Sequence, residues 1–160
     1  MAKKKKSDMT FTVFLILVLL SIITVAVIDT FDTSGYVKAD ILEVSDNTIV
    51  IGNECQAIVA ETSPERAWSI QLGIEGIIDG RPNTHDIFAE TLKSFNISLE
   101  YVTIDSFEDG IYYANLILKS DDKILKLDSK PSDAIALALR TNSTIYINET
   151  MLNEVGQNIC

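Results

Sequence analysis

The feature that most constrains this chain is an uninterrupted apolar run at residues 11–28, FTVFLILVLLSIITVAVI, which carries neither a charge nor a proline. A helix rises about 1.5 Å per residue, so a run of this length covers most of a bilayer's hydrocarbon core with its backbone polar groups satisfied internally. A core helix of a water-soluble domain would keep a polar stripe, whereas only Thr12, Ser21 and Thr24 interrupt this run, and they are scattered. The run therefore predicts a transmembrane helix. The competing reading is a cleaved secretory signal, with the lysines at 3–6 as its n-region and Thr24-Val25-Ala26 as a loose cleavage site. Either reading sends the rest of the chain across the membrane. Four lysines before the run and Asp29 and Asp32 after it place the N-terminus in the cytoplasm. The expected organisation is a basic cytoplasmic tail over 1–10, a single transmembrane helix over 11–28, a polar spacer over 29–35 and one extracytoplasmic domain over 36–160 of a cell-membrane protein.

Charge then bounds what the outer domain can meet. Residues 29–160 hold 9 basic against 22 acidic side chains, a net of −13. A field of that sign repels polyanions and anionic lipid surfaces, so bulk charge disfavours nucleic acid as a partner. Cys55 and Cys160 make neither a metal-ligand spacing nor a disulfide framework; the reading is a strand thiol and a terminal thiol, with a bridge within or between chains open to them outside the cytoplasm. Sequons begin at Asn96, Asn142 and Asn148, which the outward topology makes available for glycosylation. Homo-oligomerisation is left open.

Along the domain, alternating residues predict strands over 36–44, 48–51 and 55–60, a meander with turns at Ser45-Asp46-Asn47 and Gly52-Asn53. Ser63-Pro64-Glu65 reads as a helix start with a Ser63 cap, and Asn83 with Asp86 three residues on predicts a second cap after the break at Gly80-Arg81-Pro82. Two β-rich runs, 99–107 and 111–118, flank Asp109-Gly110, a hairpin signal because this pair accepts positive φ. A strand over 124–128 leads to a third helix starting at Lys130-Pro131, whose AIALAL stretch implies burial on most sides; a short strand over 144–147 and a terminal helix over 149–155 finish the chain. Strands and helices segregate, which predicts an α+β domain with a mixed or antiparallel sheet and three main helices. Trp68, Tyr101, Tyr112 and Tyr113 are not interleaved with basic residues and read as core and sheet-face packing.

Three segments, RPNTHD at 81–86, the Asp109-Gly110 hairpin followed by Tyr112-Tyr113-Ala114, and DSKPSDAIALALR at 128–140, resemble in order and spacing the bifunctional nuclease domain family. The resemblance covers residues 36–155 and implies that family's fold, with DNase and RNase activity as the function to be expected; Lys130 stands where the family usually has arginine. Read from the residues, Arg81, His85 and Asp86 are the catalytic candidates: a phosphate clamp, an imidazole for proton transfer and a carboxylate. His85 is the sole histidine, so a divalent metal, Mg²⁺ or Mn²⁺, would be held by Asp86, Asp128 and Asp133. Arg81, Lys130 and Ser132 are the phosphate-binding candidates, the last two at a helix N-terminus that favours anions. The same residues also read structurally: Asn83 and Asp86 as a cap, Arg81 in an ion pair, His85 as a hydrogen-bonded prop, Ser132 and Asp133 as ordinary first-turn residues. Two functions follow, a metal-dependent phosphodiester hydrolase on a membrane anchor and a non-catalytic extracytoplasmic interaction module on the same fold.

Overall fold

The computed structural model describes residues 11–15, 32–121 and 123–160. Residues 11–15 are helical, and the remainder of the expected membrane-spanning segment lies outside the described residues. Among the described residues no helix is long and apolar enough to cross a membrane. The folded unit begins at Gly35 and runs to Cys160.

Eight strands form one sheet: β1 Tyr36–Ser45, β2 Thr48–Gly52, β3 Gln56–Glu61, β4 Ser98–Glu108, β5 Ile111–Ser120, β6 Lys123–Ser129, β7 Thr144–Asn148 and β8 Gln157–Asn158. Their order is β6-β5-β4-β7-β1-β2-β3-β8, antiparallel throughout except where β4 meets β7. The sheet is therefore mixed, and its single parallel pair requires a crossover from β4 to β7 that carries a helix. That helix is α3, Pro131–Thr141; the others are α1 Pro64–Glu75, α2 Thr84–Ser94 and α4 Glu149–Val155. Asp109 and Gly110 both take positive φ, 52° and 81°, as the expected hairpin turn requires.

The core lies where α3 covers the sheet. Ala134, Ile135, Ala136, Leu137 and Ala138 are all buried, so the AIALAL stretch is enclosed on most of its circumference, as its lack of a polar face implies. Small alanines let α1 and α2 pack close to α3, while Ile51, Ile58, Val102 and Ile147 fill the space against the strands.

Several local expectations are revised. Ser63 occupies the N-cap of α1 but its side chain does not cap; it turns to Glu65 instead, helping to lower that carboxyl's pKa after the backbone N–H of Glu65 itself. Cys55 precedes β3 rather than lying in it, and it is bonded to Cys160, with Cα atoms 5.1 Å apart. The bridge is possible because β8, a strand too short to be read from its pattern, pairs with β3 at Gln56 and Ala57 and brings the C-terminus alongside. Trp68 is 53% exposed on α1 and is not a core residue. Tyr113 is likewise exposed, whereas Tyr101 packs edge-on against Tyr146 with centroids 5.5 Å apart, and Tyr112 lies 4.4 Å from Phe107.

Candidate functional site

The RPNTHD segment folds as the junction between α1 and α2. Asn83 caps α2, its Oδ1 accepting from the N–H groups of His85 and Asp86 at 2.9 and 3.1 Å, while its own N–H donates to Asp86 Oδ2 at 2.8 Å. This is the reciprocal capping box the spacing predicts. The other carboxylate oxygen of Asp86 meets Arg140 Nε at 2.5 Å. Both side chains are only 8% exposed. Burial pushes the Asp86 carboxyl upward, but the Arg140 guanidinium and the Asn83 N–H outweigh it, and the group titrates below its ordinary value.

Arg140 lies in the last turn of α3 and turns its guanidinium back into the α1–α3 contact. Nη1 donates to the carbonyls of Ser69 at 3.0 Å and Ala136 at 2.8 Å, and Nη2 donates to Ser69 Oγ at 3.3 Å. Gly73 makes the passage: a Cβ there would lie 2.9 Å from Arg140 Nη1 and 3.0 Å from Leu139 Cβ. A buried guanidinium is thus satisfied by one carboxylate, two carbonyls and a hydroxyl.

Ser69, on the buried side of α1, passes this arrangement to His85. Its Oγ accepts from Asn83 Nδ2 at 3.2 Å and from Arg140, and lies 2.9 Å from His85 Nδ1. With both lone pairs engaged, the hydroxyl proton goes to Nδ1, which must be the unprotonated ring nitrogen. The imidazole proton therefore resides on Nε2. Burial lowers the His85 pKa, with the Arg140 charge adding to it and Asp133 opposing, so the ring is neutral near pH 7.

Nε2–H faces Asp133 Oδ1 at 3.6 Å, too long for a hydrogen bond, and the same oxygen lies 3.8 Å from Arg66 Nε. These groups line a cleft of about 580 Å³ with Trp68 and Arg81 at its walls. Arg81 is exposed and makes no ion pair among the described residues.

The expected site residues therefore separate. His85, Arg81 and Asp133 share the cleft. Asp86 has both oxygens committed to Asn83 and Arg140, and Asp128 sits on the exposed side of β6 opposite Asn115. The structure does not bring Asp86, Asp128 and Asp133 together; among the described residues no group of three or more His, Cys, Asp or Glu side chains is placed to hold a metal ion. Lys130 and Ser132 line a different groove, on the far side of Arg66, which borders both. Ser69, Arg66 and Arg140 were not singled out from sequence, and Trp68 was read as packing. Arg140 had a signal, a charge directly following an apolar run in a helix, which demands a partner where it is buried; Ser69 had none.

Comparison with known proteins accords with the motifs. The description of the bifunctional nuclease domain matches residues 48–159. Two uncharacterized proteins of Mycobacterium tuberculosis, from the CDC 1551 / Oshkosh and H37Rv strains, are each 36% identical over 90 residues, covering 56% of this chain and 53% of theirs. The chain spans about half the length of the curated relatives it matches.

Proposed function

Since the chain belongs to the bifunctional nuclease domain family, we propose that the α1–α2 cleft binds and hydrolyses phosphodiester bonds of single-stranded nucleic acid on the outer side of a membrane. The observation that carries this reading is the His85 ring held through Nδ1 at 2.9 Å from Ser69 Oγ, which sets Nε2 beside Asp133 in a cleft walled by Arg66, Arg81 and Trp68. A neutral imidazole held this way is a hydrogen-bond donor to a phosphate oxygen rather than a proton shuttle, because protonating Nδ1 would leave Ser69 facing three donors. Arg81 supplies the free positive charge and Trp68 a ring face for a base. Asp133 takes a proton from the attacking water as its oxygen bonds to phosphorus; the leaving-group P–O bond breaks and that oxygen takes the proton back. No step is routed through a metal.

The anchor is part of the proposal: the apolar run at 11–28 and the lysines before it give a single-pass topology with the domain outside. The Cys55–Cys160 bond supports that compartment, since disulfides persist where conditions are oxidising.

The test is cleavage of a single-stranded oligonucleotide by the full-length chain, with His85→Gln, Asp133→Asn and Arg81→Ala beside it and chelator or Mg²⁺ and Mn²⁺ as separate arms. Asp133→Asn should abolish turnover while binding persists, and His85→Gln should lower the rate about 10² to 10³-fold, the worth of one preorganised donor. Equal rates in all four proteins would sink the assignment.

A second reading has its own observation. Ile74, Ile77, Ile78, Ile87 and Phe95 are all exposed at the α1–α2 end, and Ile78, Ile87 and Phe95 line a shallow apolar cleft. Such a surface fits a protein partner or a second copy of the chain, the interaction-module function. Concentration-dependent mass that Phe95→Glu abolishes, without any cleavage activity, would favour it.

A further inference from the structure

The groove beyond Arg66 has a chemistry of its own. It has a volume of about 250 Å³ and lies between β2, β3, the β4–β5 turn and the start of α3. Its floor is Ile49, Ile51, Ile58, Ile104 and Ile135, all buried, with Tyr112 beside them. No polar group interrupts that floor, so it has nothing to offer the edge of a nucleobase.

The polar end is different. α3 starts at Lys130 without a side-chain cap, Pro131 has no N–H, and the N–H groups of Asp133 and Ala134 both return to Lys130 O at 3.0 Å. Ser132 N–H is left as the donor at the helix mouth, where the helix dipole favours negative charge. Ser132 is only 8% exposed, yet its hydroxyl pairs with no described residue. Its Oγ is not among the fully buried side-chain atoms without a partner, so it stays open to the groove that it lines beside Lys130 and Arg66. Lys130, Arg66, which also lies 3.8 Å from Asp133 Oδ1, and two unpaired donors line one aliphatic groove, in a domain whose net charge is strongly negative. The exposed carboxylate of Glu61 also lines the groove and limits the charge a ligand can carry.

We propose that this groove binds a small single-tailed amphiphile, its chain on the isoleucine floor and its anionic head, a phosphate monoester or a carboxylate, on Ser132 N–H and Oγ between Lys130 and Arg66. The site does not depend on phosphodiester hydrolysis in the neighbouring cleft. Two features of the ligand are required together: the apolar body to displace water from the floor, and the anion to satisfy the helix mouth.

The experiment titrates hexyl phosphate into the full-length, ¹⁵N-labelled chain, with hexanoate, hexanol and inorganic phosphate as separate arms. Saturable amide shifts are expected at Ser132, Tyr112 and Ile51 with hexyl phosphate or hexanoate, the tighter of the two naming the head. Hexanol and phosphate should each bind at least about tenfold more weakly, because each supplies half of the recognition. Ser132→Ala should weaken binding about tenfold, the worth of a hydrogen bond to a charged group. Lys130→Glu, at an exposed position, gives the same test should the serine variant unfold. Hexanol binding as tightly as hexyl phosphate, affinity unchanged by Lys130→Glu, shifts centred on His85 and Arg81, or no saturation with either anion would each overturn the proposal.

Discussion

Replacing Asp86 by alanine removes a carboxylate that does two structural jobs at once. It leaves Arg140 charged and buried, and breaking one side of a buried ion pair costs about 3–5 kcal/mol. Arg140 keeps the carbonyls of Ser69 and Ala136, so the lower end of that range applies. The Asn83 N–H at the start of α2 also loses its acceptor, adding about 1 kcal/mol. The sum, about 4 kcal/mol, is a large share of the 5–15 kcal/mol that holds a typical domain together. For a unit of this size it should lower the Tm by roughly 15 °C. Thermal unfolding followed by near-UV circular dichroism is the assay. Asp86→Leu combined with Arg140→Leu should be less destabilised than the sum of the single changes, because the double variant strands no charge. The pH dependence has a definite sign: the folded-state pKa of Asp86 is lowered, so its contribution is complete above the ordinary carboxylate value and is lost as pH falls through the lower folded value. A loss under about 1 kcal/mol for Asp86→Ala, or strict additivity in the cycle, would refute the ion-pair reasoning and return Asp86 to the list of free ligands.

His85 gives a second pH signature: burial lowers its folded pKa, so stability is complete above the ordinary imidazole value of about 6.5 and declines as pH falls below it, a slope His85→Gln should remove in urea titrations. Trp68→Ala should weaken single-stranded oligonucleotide binding by about 1–3 kcal/mol in a fluorescence anisotropy titration, and no loss would take the ring out of the binding surface. Because Arg81 and Arg66 are the cations in the cleft, log affinity should fall with log salt with a slope near −1.4, about two phosphates' worth on a single strand. Reducing Cys55–Cys160, which closes 105 residues, should lower stability by up to about 4.7 kcal/mol, and an unchanged melting curve in reductant would show the bridge to be thermodynamically idle.

The parts of this fold that sequence made legible are those set by local rules. The Asn83–Asp86 box, the Asp109-Gly110 turn and the enclosed AIALAL helix each depend on a few neighbouring residues, and all three formed as read. The parts that were illegible depend on distant partners. Asp86 was read both as a cap and as a metal ligand, and its ion pair went unseen because its partner Arg140 is 54 positions away. Ser69 looked ordinary because its role exists only once α1, α2 and α3 meet. Trp68 was read as packing because no basic residues are interleaved with the aromatics, although its neighbours on α1, Ala67 and Ser69, are the buried ones. β8 escaped because two residues cannot show a period, and with it went the cysteine pairing.

The place of β1 in the strand order carries a mechanical consequence. Tyr36 opens β1, and β1 lies inside the sheet with β7 on one side and β2 on the other. Gly35 O is itself bound to Glu149 N at 2.9 Å. Residues 36–39 pair with β7 and residues 40–45 with β2, so tension arriving from the N-terminal side runs along the strand axis and loads the β7 ladder first, with the β2 ladder behind it. A domain hung from an edge strand would peel at low force. This one should hold as a clamp, and extraction by pulling should meet its resistance at β1 before any helix gives way.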